Sequence, residues 1–156
     1  MKIKVGCLYH IKDEFFSIMN DEKLMCNHEK GRKRPTYFTL KDKEFLWFIP
    51  ISSKVEKYKK IINNKIKRYG FCNTILIRKV AGKDSAILLQ NAFPILEKYI
   101  DHVHTINGVP VYVQSDLIME INFLFRNMIG LKNRGVDLFF VDVDVIKERL
   151  LHEFRK

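Results

Sequence analysis

Cysteine, proline and glycine are all scarce in this chain, and acid is short relative to base. Its 156 residues include 3 cysteines, 4 prolines and 7 glycines. Cys7, Cys26 and Cys72 are odd in number and nowhere spaced as CxxC. That argues against a disulfide frame or a zinc site and fits reduced thiols in a cytoplasmic protein. The glycines fall singly, at 6, 31, 70, 82, 108, 130 and 135, so a P-loop and a dinucleotide fingerprint are absent. There is no G-x-S-x-G elbow and no acid set resembling a two-metal nuclease. No apolar run approaches the roughly 18 residues of a membrane span. Residues 1–5 show no signal-peptide core, so the expected location is the cytoplasm.

What is present is apolar and basic. With 47% hydrophobic and 12% aromatic residues, the chain can bury one real core and reads as a single domain over residues 1–156. Lys and Arg number 28 against 18 Asp and Glu, for a formal net charge of +10. The excess points to a polyanionic partner, nucleic acid or an anionic membrane surface. Without a membrane segment, nucleic acid leads.

Alternation predicts a first strand over 2–10 and a short helix over 12–19, with Phe15, Phe16 and Met19 on one face. Residues 20–34 are polar and basic without periodicity, a long loop of the kind that carries function. It ends in the densest positive cluster, Lys30-Gly31-Arg32-Lys33-Arg34. Residues 36–40 and 45–51 read as a hairpin, and 74–80 with 85–90 as another. Asn107-Gly108 signals a type I′ turn between strands at 103–106 and 109–113, with Pro110 marking an edge or a bulge. A helix over 54–69 would bury Val55, Tyr58, Ile62, Ile66 and Tyr69 and stop at Gly70. A second helix begins at Ser115 or Asp116 and ends near Gly135, and a short strand covers 138–141. A last helix after Asp142 or Asp144 holds Ile146, Leu150 and Phe154. Hairpins with helices packed outside give an α+β class with an antiparallel, barrel-like sheet.

The most informative stretch is Pro50-Ile51-Ser52-Ser53-Lys54-Val55-Glu56. The apolar run before it should end as a strand at Pro50, and Ser53 with Glu56 forms a capping box for the next helix. Free amides, a positive dipole end, two hydroxyls and clustered lysines are what a phosphate needs. The plain alternative is that Ser53 only caps. RNA carries its own nucleophile, the 2′-OH, so its cleavage needs only alignment and charge neutralisation at phosphate. Such a reaction leaves a 2′,3′-cyclic phosphate. Ser52 and Ser53 supply hydroxyls and Lys54 an adjacent cation, while Lys33 and Arg34 can approach from the loop. Lys12 and His10 are further proton-transfer candidates, although His10 at a strand end also reads as structural. Only His102-x-His104 could place two imidazoles on one strand face, with Asp101 turned the other way. No metal or other cofactor is expected. Cys7 and Cys26 read as buried thiols.

Several of these segments resemble a known family. They are Arg34-Pro35 with the hairpin after it, Ile49-Pro50-Ile51-Ser52-Ser53-Lys54-Val55-Glu56-Lys57-Tyr58, and Gln90-Asn91-Ala92-Phe93-Pro94-Ile95. They are similar to toxins of type III toxin–antitoxin systems, nearest to the CptN and TenpN branches and more distantly to ToxN and AbiQ. The resemblance covers roughly the whole chain. It implies a Kid/MazF-like, strongly bent β-barrel with peripheral helices, acting as a metal-independent endoribonuclease on cellular mRNA. It also implies inhibition by a small pseudoknotted RNA antitoxin in a protein–RNA assembly, and a role in plasmid maintenance or abortive infection. Ser53 matches the family's active-site serine and Ser52 the hydroxyl before it. Where ToxN has a lysine two positions after that serine, this chain has Val55, with lysine at Lys54 and Lys57. The family's loop tyrosine has no upstream counterpart, since Tyr37 already lies in the strand.

The expected catalytic set is therefore Ser53, Ser52, Lys54 and Arg34. The expected RNA-binding set is Lys30, Arg32, Lys33, Tyr37, Lys57, Lys60, Lys65 and Arg68. A non-catalytic basic RNA-binding module is the alternative. A DNA-binding regulator using the helix 54–69 is weaker, because that helix carries few Asn, Gln or Arg to read bases.

Overall fold

The computed structural model describes residues 2–154. The strands are β1 (Leu8–Ile11), β2 (His28–Glu29), β3 (Arg32–Lys33), β4 (Thr36–Asp42), β5 (Phe45–Ser52), β6 (Leu76–Val80), β7 (Lys83–Ile87), β8 (Phe93–Ile95), β9 (Ile100–Val103), β10 (Thr105–Ile106) and β11 (Val109–Pro110). The helices are α1 (Asp13–Met19), α2 (Val55–Tyr69), α3 (Ser115–Asn133) and α4 (Val143–Phe154).

Strand β5 is buried along its whole length, which is why it reads as one apolar run. One edge pairs with β4, from Thr36↔Pro50 to Asp42↔Phe45. The other edge pairs with β8 and then with β7, at Ile51↔Ile87 and Ser52↔Ala86. The sheet runs β6-β7-β5-β4-β1-β9 with β8 beside β5, and its pairings are antiparallel. It is open, since no pairing joins β6 to β9 among the described residues. The fold is single-domain α+β.

Aromatic packing fixes the helices onto this sheet. Trp47 of β5 meets Phe125 of α3 and Phe139, with ring centroids 5.3 and 5.5 Å apart. Phe15 of α1 stacks on Phe93 of β8, and Ile146 and Leu150 of α4 are fully buried. Gly6 has φ +92°, and a Cβ there would lie 2.5 Å from Ile118 of α3. Only glycine combines that backbone with so close an approach.

The structure departs from the sequence reading at several points. Positive φ at Gly6 breaks the first strand, so pairing starts at Leu8 after a single bridge from Cys7 to Tyr112. Within 20–34 the chain forms a small hairpin, β2 with β3, turning at Lys30-Gly31. Strand β5 does not end at Pro50. Pro50 lacks an N–H, but its carbonyl accepts from the Leu88 amide at 3.0 Å, and the ladder continues to Ser52. The capping box is not formed: Lys54 takes the N-cap position without a side-chain cap, and Glu56 pairs with Lys59.

Helix α2 is rotated from the expected stripe. Tyr58 is buried and Ile61 and Ile62 pack beside it, forming a second small core with Ile75, Ala86 and Leu88. Ile66 and Tyr69 are 45% and 58% exposed. The inward face continues to Lys65, whose ammonium donates to Gln90 and Thr74, so a lysine stem fills the place assigned to Ile66.

The second expected hairpin turns tightly at Ala81-Gly82, both at positive φ, and its return strand stops at Ile87. A 3-10 turn and β8 then take residues 89–95. Asn107 and Gly108 have the positive φ of a type I′ turn, but β10 and β11 form only a two-stranded ribbon apart from the main sheet. Residues 138–141 are not a strand; they run as a connector that buries Phe139 and Val141, leaves Leu138 and Phe140 exposed, and is tied down by the Phe140 amide donating to the Gln90 carbonyl. The expected contact of Phe154 lies outside the described side chains.

Candidate active site

The end of β5 delivers Ser52 and Ser53 beneath the β2–β3 hairpin, and the carboxylate of Glu29 reaches down between them. The Ser52 hydroxyl donates to Glu29 Oε2 at 2.8 Å. The Ser53 amide and hydroxyl donate to Oε1 at 3.0 and 2.5 Å. Arg34 Nη1 donates to Oε2 at 2.7 Å and also to the Ile51 carbonyl, while its Nε donates to the Cys26 carbonyl. Arg34 is only 6% exposed, so its charge depends on these acceptors. Ser52 Oγ in turn accepts from the Lys54 amide at 3.1 Å. Burial acts to raise the Glu29 pKa, but the bonds from Ser53 and Ser52 and the Arg34 charge outweigh it and hold the pKa at about 2.

This cluster lies in a cleft of about 520 Å³. Lys30, Arg32 and Lys33 come from the β2–β3 side, Lys83 from the β6–β7 turn, and His104 from the approach to the β10–β11 ribbon. A larger hollow of about 620 Å³, between α1 and α4, is also polar, but it mixes Asp21, Glu22 and Asp142 with Lys23 and Arg149 and so lacks the basic excess of the serine cleft.

Three histidines stand beside the cleft. His10 Nε2 lies 2.8 Å from His104 Nδ1, and the His10 ring stacks on His102. Asp101 is not turned away from His102. Its carboxylate takes Lys33 Nζ at 2.7 Å and His102 Nδ1 at 3.3 Å, which draws that lysine to the strand. Among the described residues, no three His, Cys, Asp or Glu side chains are grouped to hold a metal ion.

Burial, then the charges of His104, His102 and Lys33, push His10 down to about 4, with Asp101 opposing. Folded His10 thus gives up its proton more readily than the unfolded chain, so acid favours unfolding. Stability should be level above pH ~6.5 and fall between ~6.5 and ~4, by up to about 3 kcal/mol from this group. Urea midpoints across this range should show the slope, and His10→Gln should flatten most of it. The remainder belongs to His104, which burial also lowers, and, toward the acid end, to Glu29, whose lowered pKa also costs stability in acid.

The structure gathers Ser52, Ser53, Arg34, Lys30, Arg32 and Lys33 at one cleft. Lys54 adjoins it through its backbone, while its side chain is not part of the lining. Tyr37 does not face RNA: it is fully buried in β4, its hydroxyl donates to Asn122, and burial raises its pKa. Lys65 is likewise committed to Gln90 and Thr74. Lys57 and Lys60 lie on the exposed face of α2, and Arg68 lies over the Tyr69 ring, apart from the cleft. Cys26 is exposed, not buried.

Glu29 and Lys83 are cleft residues that the sequence reading did not select. The signal for Glu29 was available, because it is the only acid between Lys23 and Lys41. A lone carboxylate inside a basic run needs donors, but most of those here lie on a distant strand, which the sequence alone does not show.

No helix of the described residues is long and apolar enough to cross a membrane. No protein-family model matches the chain, and no curated protein matches it in sequence. Among solved structures it is similar to AbiQ, a lactococcal anti-phage endoribonuclease belonging to the type-III toxin–antitoxin system. The TM-score is 0.70 at 13% identity, over 98% of this chain and 100% of that one. At that identity the likeness is one of fold: the chain shares the AbiQ architecture from end to end.

Proposed function

We propose that this protein is a sequence-specific, metal-independent endoribonuclease toxin of a type III toxin–antitoxin system. The observation that carries the reading is the convergence of Ser52, Ser53 and Arg34 on one anion in a basic cleft. The fold likeness to an endoribonuclease supports it.

In this reading the RNA 2′-oxygen attacks phosphorus and the bond to the 5′-oxygen breaks. The products are a 2′,3′-cyclic phosphate and a 5′-hydroxyl. The two serine hydroxyls and the Ser53 amide neutralise charge developing on the non-bridging oxygens, with Arg34 holding the arrangement and Lys54 one residue away. His104, hydrogen-bonded to His10 in the same cleft, is placed to move a proton. Lys30, Arg32, Lys33 and Lys83 track the RNA backbone, and Lys57, Lys60 and Arg68 extend the charge along α2. A small repeat-derived RNA antitoxin fills this surface in a protein–RNA assembly and is processed there, which spares cellular mRNA in the cytoplasm. A Kid/MazF-like bend of the sheet and a place near the CptN branch belong to the same proposal.

Expression of the open reading frame alone tests it. Growth should arrest, and co-expression of the repeat RNA encoded beside the gene should relieve the arrest. Harmless expression of the folded protein would favour a non-catalytic RNA-binding module.

A further inference from the structure

The four donors around Glu29 do not look like the surroundings of a base. A useful general base has a pKa near the operating pH and a lone pair free for the incoming proton. Glu29 has neither. Its pKa is about 2, and Oε1 takes two donors from Ser53 while Oε2 takes Ser52 and Arg34. A backbone amide, two hydroxyls and a guanidinium on two geminal oxygens match the non-bridging oxygens of a phosphodiester equally well.

We propose that Glu29 is an internal stand-in for the substrate phosphate, and that the seat formed by Ser52, Ser53 and Arg34 receives a phosphodiester only when Glu29 withdraws. The phosphodiester assignment rests on the nuclease reading above; the anion seat does not.

The segment carrying Glu29 is built to leave. The hairpin has two residues per strand and turns at Lys30-Gly31 on positive φ. One flank is held by the half-exposed pair His28–Asp13 and the other by Lys33–Asp101. The His28–Asp13 pair, open to solvent, holds weakly, while Lys33–Asp101 is partly buried and is the firmer of the two. Lys30, Arg32 and Lys33 sit on the same hairpin, so an approaching polyanion attracts the segment that must move. The seat is thus closed to small anions and opened by a ligand long enough to engage the hairpin's lysines and arginine as well.

The test uses inorganic phosphate, followed by the shift of the Ser53 amide in NMR and by thermal melting. An intramolecular occupant acts at an effective concentration of roughly millimolar or above. Glu29→Ala and Glu29→Gln should therefore bind phosphate about tenfold or more tightly than the wild type. Phosphate should also raise the melting temperature of both variants more than that of the wild type. Glu29→Gln keeps the size and one acceptor, so it covers the case in which Glu29→Ala fails to fold. Equal phosphate affinity in a folded Glu29→Gln protein and the wild type overturns the proposal, and loss of RNA cleavage alongside it would make Glu29 a base. Tighter phosphate binding without any RNA cleavage by the wild type would keep the anion seat and remove the nuclease reading instead.

Discussion

Ser53→Ala should silence the protein while leaving it folded. Ser53 is exposed, and among the described residues its hydroxyl bonds Glu29 alone, which keeps the Ser53 amide, the Ser52 hydroxyl and Arg34 as donors. Removing one hydrogen bond of this kind costs about 1 kcal/mol. That loss comes from the Glu29 bond and not from a helix cap, because α2 is not capped by Ser53. On the proposed mechanism the same hydroxyl would face developing negative charge, where one lost donor lowers kcat by roughly 10²–10³-fold. Cleavage rates and urea midpoints measured on the same preparation separate the two effects. A folded Ser53→Ala protein that cleaves at the wild-type rate would remove Ser53 from the chemistry.

Arg34→Ala should give the largest loss of stability among the site residues. The guanidinium is buried, and three acceptors each lose a donor at once: Glu29, the Cys26 carbonyl and the Ile51 carbonyl. Breaking a buried ion pair from one side costs about 3–5 kcal/mol. Arg34→Lys should restore only part, since one ammonium cannot reproduce a planar fork across three acceptors. Arg34→Met combined with Glu29→Gln should recover more than Arg34→Met alone, because the orphaned charge is gone. Urea denaturation of the four variants checks this order. A stability change below about 1 kcal/mol for Arg34→Ala would show that the cluster does not depend on this residue.

What the sequence made legible follows from how local each signal is. The β4–β5 hairpin, α3, the type I′ turn at Asn107-Gly108 and the αL stop at Gly70 each rest on residues that are neighbours in sequence. Ser52 and Ser53 were found for the same reason. Glu29 was not, because its role depends on a hairpin folding over a strand more than twenty residues away. The capping box was a local rule overridden by that carboxylate, which takes the Ser53 hydroxyl before the helix can. Tyr37 failed because β4 is buried on both faces there: its ring is enclosed and its hydroxyl finds Asn122 of α3. Lys65 failed because a long side chain on the inward stripe of α2 reaches Gln90 instead of solvent. Charge composition gives the sign of a surface but not which of its cations are already spent.

The most direct measurement is incubation of the purified protein with an RNA transcript in excess EDTA, followed by end-group analysis of the fragments. Cleavage should proceed in EDTA, the upstream fragments should end in a 2′,3′-cyclic phosphate and the downstream ones begin with a 5′-hydroxyl. A single deoxyribose at the scissile position should stop the reaction. Activity lost in EDTA and restored by magnesium, or fragments ending in a 3′-hydroxyl, would contradict an RNA-supplied nucleophile aligned by Ser52, Ser53 and Arg34.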